Sequence, residues 1–258
     1  MGIINLTPDS FSDGGVIAGP AAAAERACRM AAEGADWLDV GGESTRPGSS
    51  PAPEAEELAR VLPAIAAVRA RCALPLSIDT RKPSVARAAM AAGATMWNDV
   101  GALGGHGALE TAAELGCHVV LMHMQGEPAT MQDQPRYENV VGEVIAFLDQ
   151  RAQAAMAAGV ARERIWVDPG IGFGKTLAHN LALLCGLGEI AALGFPLVFG
   201  ASRKGMIRTI DASAGEPGDR LGGSIALALQ AARAGVAMVR VHDVRETVQA
   251  LKVQAALA

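Results

Sequence analysis

With 258 residues, half of them apolar, the chain is long enough to bury one large core, yet its apolar runs stay strand-length, as in 117-CHVVLM-122. That is far below the roughly 20 residues that cross a bilayer, so no membrane span is expected. A net charge of −5 with no long basic run excludes a nucleic-acid surface, which needs clustered Lys and Arg.

Short apolar strands alternate with Ala-rich helical stretches about every 30 residues, the signature of βαβ units on a parallel sheet. Strands are predicted near 2–6, 36–40, 75–79, 94–98, 118–123, 165–168, 196–200 and 237–242. No linker divides them, so residues 1–258 are expected to form one domain. Eight strands and this length point to a (β/α)8 TIM barrel, typically roughly 250 residues long. A doubly wound open sheet has the same local periodicity and stays open on periodicity alone. Between strands, Leu58, Leu62, Ile65 and Val68 recur at helical spacing, with Glu54, Glu56, Glu57 and Arg60 on the other face. Pro63 inside that helix should remove one hydrogen bond or kink it, at a cost of roughly 3 kcal/mol.

Strand after strand ends in a polar residue: Asn5, Asp39, Asp79, Asn98, His123, Asp168, and Arg240 with His242. One or two would be ordinary caps of the next helix; so many point to the carboxyl face of a barrel, where active sites are assembled. Arg240 and His242 are two apart on a strand and share a face, a pairing suited to an anion near the last strands. Ser202, Arg203 and Lys204 in 200-GASRKG-205 add a hydroxyl and two cations to that rim. Lys204 is the functional candidate, whereas Arg203 reads equally as an ion partner. Asp79 and Asp168 are acceptors for a ligand with adjacent N–H donors. Loops 5–15 and 41–51, rich in Gly, Pro and Ser yet carrying Phe11, Arg46 and Pro47, read as lids over the mouth.

Other motifs are set aside. In 169-PGIGFGKT-176, Pro169 stands where a phosphate-binding loop needs its first glycine, and glycines 170, 172 and 174 fail the dinucleotide spacing. His118 and His123 are five apart on a strand, point to opposite faces, and make a poor metal pair. Cys28, Cys72, Cys117 and Cys185 lie far apart with no CxxC, so reduced, packed thiols are expected rather than disulfides or a zinc site. With no secretory signal at the start, the cytoplasm is the expected compartment.

Nine segments in order, 2-GIINLTPDSFSDGG-15, 41-GGESTRPG-48, 78-IDT-80, 98-ND-99, 122-MHMQGEPATMQ-132, 168-DPGIGFGKT-176, 202-SRK-204, 222-GGS-224 and 239-VRVHDV-244, resemble the dihydropteroate synthase family nearly end to end. The resemblance implies condensation of 6-hydroxymethyl-7,8-dihydropterin diphosphate with p-aminobenzoate, giving 7,8-dihydropteroate and diphosphate. It further implies that Asp168 grips the pterin's 2-amino group and ring N–H, with Asp79 and Asn98 on the same edge. Lys204 becomes a donor to the ring and Arg240 a cation over its face. Asn5 helps hold Mg2+, Asp13 closes on metal and diphosphate, and Arg46, Arg240 and His242 bind the diphosphate. Phe11, Thr45, Arg46, Pro47 and Phe173 are similar to the family's p-aminobenzoate pocket and second lid. The family also implies a homodimer through late helices. The related corrinoid methyltransferases, which bind a folate pterin in such a barrel, are the runner-up, and a pterin-binding relative without catalysis is the non-enzyme reading.

Two departures stand out. Gly205 replaces the Ser that many relatives carry after SRK, removing a hydroxyl for which backbone N–H groups at a helix start would substitute. The chain also begins almost on its first strand, so either a less covered barrel bottom or an incomplete start is expected.

Overall fold

The computed structural model describes residues 1–7 and 19–257, so Phe11 and Asp13 lie outside the described residues. Strands β1 (Gly2–Asn5), β2 (Leu38–Gly41), β3 (Leu76–Asp79), β4 (Met96–Asp99), β5 (His118–Met122) and β6 (Ile165–Asp168) form a parallel sheet in consecutive order. A parallel pair, β7 (Val198–Phe199) and β8 (Met238–Val239), completes the set. Single bridges join this pair to both edges of the sheet, Val167 with Leu197 and Gly2 with Val241. Backbone bonds therefore run all the way round: Val167 N–H donates to Pro196 O at 3.0 Å and Ile3 N–H to Val241 O at 3.0 Å. The fold is the (β/α)8 barrel, and this closure removes the open-sheet alternative. The last two strands are shorter than expected, because the chain leaves the ladder near Gly200 and Arg240, where residues of the barrel mouth begin.

Helices α1 (Pro20–Ala32), α2 (Glu54–Arg69), α3 (Pro83–Ala91), α4 (Ala108–Leu115), α5 (Val140–Ala157), α6 (Leu177–Cys185), α7 (Leu187–Ala191), α8 (Gly205–Ile210) and α9 (Leu221–Arg233) connect the strands, and α10 (Val244–Ala256) follows the last of them. The period-two alternation of a strand sorts its side chains into two separate cores. Ile4, Leu38, Val40, Leu76, Ile78, Trp97, Val119, Leu121 and Val167 point outward into the strand–helix layer. Met96, Val120, Val198 and Met238 point inward and, with Met1, Trp37 and Trp166, fill the barrel's lower half. His118 lies edge-on between the two tryptophans, with centroids 6.1 Å from Trp37 and 6.3 Å from Trp166, so it belongs to this plug.

The α2 expectation needs a correction. Its buried stripe is Glu57, Val61, Ala64, Ile65 and Val68, whereas Leu58 and Leu62 are half-buried. Glu57 turns inward because Lys82 Nζ donates to its Oε2 at 2.6 Å, a compensation that composition of the helix alone cannot reveal. Pro63 sits on the exposed side and the helix runs through it.

Candidate active site

The inward-facing register carries polar residues above the apolar plug, and they converge. Arg240 Nε donates to Asp39 Oδ2 at 2.6 Å and its Nη2 to Asp79 Oδ2 at 2.8 Å, while Asn98 Nδ2 donates to Asp39 Oδ2 at 3.2 Å. One guanidinium thus ties β2 and β3 to the end of β8, and Asp39 extends the link to β4. Two glycines keep the hollow open. A Cβ on Gly41 would lie 3.7 Å from Asn5 Oδ1 and 3.8 Å from Asp79 Oδ2, and one on Gly200 would lie 3.8 Å from Arg240 Cβ and 3.9 Å from Asp168 Oδ2. A cavity of about 700 Å³ opens above, bounded by Asn5, Asp79, Lys204, Arg240 and His242 on the barrel side and by Thr45, Arg46, Pro47 and Phe173 on the loop side. Asn98 and Asp168 do not line that cavity; both are buried, next to residues that do.

Two expected mouth residues are elsewhere. Asp39 lies mid-strand and fully buried, with Gly41 at the top of β2, so it supports Arg240 from below. His123 follows inward Met122 and so points the other way; its ring packs edge-on to Phe147 at 4.9 Å and its Nδ1 is 2.9 Å from Lys175 Nζ.

Asp168 serves in part as a turn residue, since its Oδ1 accepts the Gly170 N–H at 2.7 Å, while Oδ2 borders the gap at Gly200. Burial raises its carboxyl pKa despite Lys204 and Arg240 nearby. Burial likewise pushes Asp79 up to about 7, opposed by Arg240 and reinforced by Asp39 and Glu57. Arg240, also desolvated, is nevertheless held above its ordinary value by Asp39 and Asp79. Desolvation brings Lys204 down to about 8, with Asp168 acting the other way. His242 falls to about 3, because burial and the cations Arg203 and Arg240 disfavour an imidazolium.

The loop side rests on residues that sequence reasoning passed over. Glu43 accepts from Arg81 Nη2 at 3.1 Å, from Lys82 Nζ, and from the Ala52 N–H at 2.9 Å, clamping both ends of loop 42–52. Gly48 N–H donates to Pro128 O at 3.0 Å, which docks the tip of that loop on the segment after β5. The signal was available as a lone acid in a Gly-rich loop and an Arg-Lys pair one strand later.

The segment 169–176 is a scaffold. Gly170, Gly172 and Gly174 all have positive φ, at 66°, 81° and 61°, and a Cβ at Gly170 would collide with the His123 carbonyl. Lys175 Nζ, buried, donates to Gly170 O and Phe173 O, each at 2.9 Å, so the loop wraps its own cation. This wrapping presents Phe173, whose ring lies 4.2 Å from Lys204 Nζ, and Ile171 O, which accepts from the same ammonium. Arg203 is an ion partner, its Nε 3.0 Å from Asp243 Oδ2.

The family described as pterin binding enzyme matches residues 1–242. Dihydropteroate synthase of Escherichia coli (strain K12) is 47% identical over 253 residues, covering 98% of this chain and 89% of that protein. The Neisseria meningitidis serogroup B dihydropteroate synthase is 48% identical over 263 residues, covering 100% of this chain and 92% of its own. Among solved structures, Yersinia pestis dihydropteroate synthase with a sulfonamide drug superposes with a TM-score of 0.96 at 44% identity, covering 100% of this chain and 93% of that one. Xanthomonas albilineans dihydropteroate synthase in complex with 7,8-dihydropteroate gives 0.88 at 47% identity, covering 100% and 92%. With a closed barrel, a polar mouth and relatives matched along its whole length, the chain belongs to the pterin binding enzyme family, among the dihydropteroate synthases.

Proposed function

We infer that the chain is the transferase that joins the methylene carbon of 6-hydroxymethyl-7,8-dihydropterin diphosphate to the amine of p-aminobenzoate, giving 7,8-dihydropteroate for folate biosynthesis. The observation that carries this reading is the convergence of Arg240, Lys204, His242, Asp79 and Asn5 on one cavity at the carboxyl end of the barrel.

The pterin lies in the inner hollow. Asp168 accepts from its 2-amino group and ring N–H, Asp79 and Asn98 complete that edge, Lys204 donates to the remaining polar atoms, and Arg240 lies over the ring face. The gap kept by Gly200 between Arg240 and Asp168 supports this placement. The p-aminobenzoate lies outside it, among Phe11, Thr45, Arg46, Pro47 and Phe173. Arg46, Arg240 and His242 hold the diphosphate, with Asp13 closing over it.

The nucleophile is an aniline, neutral at pH 7, so its attack needs no strong base. The demanding event is departure of diphosphate with the electron pair of the C–O bond. Preorganised donors at a water-poor site stabilise that charge most effectively, and the cluster of Arg240, Arg46 and the His242 N–H supplies them. The electron-rich pterin shares positive charge as the bond loosens, next to Asp168 and Asp79. The new N–C bond then forms and the amine releases its proton. This predicts a dissociative path with the pterin binding first; secondary isotope effects typical of a tight displacement would refute it.

Magnesium suits this chemistry as an ion carried by the diphosphate. Among the described residues no three His, Cys, Asp or Glu side chains gather into a metal set, and Mg2+ characteristically binds through one or two protein oxygens plus substrate phosphates. Asn5, whose Oδ1 borders the mouth beside Asp79, would hold it. The ion supplies neutralisation of the leaving group's charge.

Two further proposals accompany this reading. A homodimer through the late helices is supported by exposed Val253 and Leu257 at the end of α10, and light scattering of a monomer would refute it. A cytoplasmic setting is supported by four cysteines without disulfides; among the described residues no helix is long and apolar enough to cross a membrane. The direct test of function is to incubate the protein with both substrates and Mg2+ and quantify dihydropteroate. Absence of product overturns the reading.

A further inference from the structure

We infer that Ser202 is a positioning residue that fixes His242 as its Nε2–H tautomer, so that a neutral imidazole presents an N–H donor to the diphosphate. The inference rests on the diphosphate reading above for its purpose, though not for its geometry.

Ser202 Oγ accepts the backbone N–H of His242 at 3.2 Å and lies 2.9 Å from Nδ1 of the same residue. A hydroxyl offers one proton and two lone pairs. The backbone N–H occupies one lone pair, and the proton has Nδ1 beside it as acceptor, which leaves Nε2 protonated. Were Nδ1 protonated instead, the buried hydroxyl would accept twice and send its own proton into the cavity rather than to a nitrogen. One side chain therefore reads both the main chain and the ring of His242, fixing ring orientation as well as tautomer.

The serine is itself held by a restrained backbone. Arg203 has φ 59°, a left-handed conformation that non-glycine residues rarely adopt. Its N–H donates to Ser224 Oγ at 2.9 Å, its carbonyl accepts from Arg220 Nη1 at 2.9 Å, and its guanidinium pairs with Asp243. Segments 202–203 and 242–243 are thus joined twice, Ser202 to His242 and Arg203 to Asp243, and the sharp turn between Ser202 and Lys204 aims both at the mouth. Next to Arg240, a neutral donor is more readily accommodated than a second cation, so the tautomer decides whether His242 can donate to an anion or only accept.

The test uses the whole protein labelled with 15N-histidine, with the His242 signals assigned by their disappearance in His242→Gln. The expected result is a protonated Nε2 and an unprotonated Nδ1 in the unaltered protein, a tautomer mixture in Ser202→Ala, and restoration in Ser202→Thr. In parallel, Ser202→Ala should raise KM for the pterin diphosphate about fivefold, the worth of roughly one hydrogen bond, with KM for p-aminobenzoate unchanged and Ser202→Thr recovering it. A protonated Nδ1 in the unaltered protein, or a tautomer indifferent to Ser202→Ala, overturns the inference. Unchanged pyrophosphate affinity of His242→Gln by calorimetry, with the tautomer still following Ser202, overturns the diphosphate reading instead.

Discussion

Arg240 and Asp39, 201 positions apart in the chain, meet at 2.6 Å in the middle of the barrel, and the same guanidinium reaches Asp79 at 2.8 Å. One cation therefore compensates two carboxylates that burial would otherwise make costly. Replacing Arg240 by Met should lower stability by about 3–5 kcal/mol, the usual cost of leaving a buried charge unpaired. Calorimetric melting checks this, and adding Asp39→Asn to that variant should recover part of the loss. An unchanged transition would mean that the pair is not integral to the fold.

Asp168→Asn replaces an acceptor by a group with two N–H donors, so one pterin N–H would face another N–H. Pterin binding should weaken by about 2–3 kcal/mol, the desolvation penalty of an unsatisfied buried group. Titration calorimetry with a pterin reads it directly, and unaltered affinity would remove Asp168 from the site.

Gly200→Ala separates space from chemistry. Among the described residues, and apart from its chain neighbours, no atom lies closer than 3.8 Å to the added Cβ, so thermal stability should be nearly unchanged. The methyl would nevertheless stand in the gap between Arg240 and Asp168. Pterin affinity should fall about tenfold, equivalent to roughly 1.4 kcal/mol, while p-aminobenzoate affinity is retained; equal loss of both would place the ring elsewhere.

Lys175 gives the fold a pH dependence of defined sign. Burial, aided by Lys204, lowers its ammonium from an ordinary 10.5 to about 7, with Asp168 opposing. Between those values the unfolded chain holds a proton that the folded one has released, so this group makes stability rise with pH across that window. Urea unfolding at a series of pH values should show the slope, and Lys175→Met should flatten it. A slope that survives the substitution would assign it to other groups.

Glu43 holds the lower ends of the loop carrying Thr45, Arg46 and Pro47. Glu43→Gln keeps the shape but weakens the contacts to Arg81 and Lys82. The expected outcome is a several-fold higher KM for p-aminobenzoate with pterin affinity unchanged, measured by steady-state kinetics and calorimetry.

The strand positions were legible because they depend on local regularities, short apolar runs alternating with helical spacing, whereas strand count and chain length only pointed to a barrel, whose closure is decided by the long-range pairings Gly2 with Val241 and Val167 with Leu197. The polar ends Asn5, Asp79, Arg240 and His242 were legible because alternation along a strand fixes which of its residues share a face, while Lys204 was legible from the cationic segment that follows strand 7. Asp39 was misplaced because β2 runs two residues further, to Gly41, which leaves Asp39 facing inward but below the mouth, and His123 because it lies one residue past Met122, which turns it outward. Glu57 was misplaced because its neutralising partner, Lys82, comes from another element.

By itself, then, the order of residues determined the strands, their alternation with helices and the polar residues that end them, since these follow from local preferences along the chain; that the sheet closes was decided by pairings between its distant ends. Only the folded molecule decided which carboxylate Arg240 compensates, which glycines hold the hollow open, how Glu43 and Lys175 brace the loops, and how Ser202 faces His242. Most of those relationships join residues tens to hundreds of positions apart, and their energies depend on distance and burial, quantities that exist only once the chain has closed on itself.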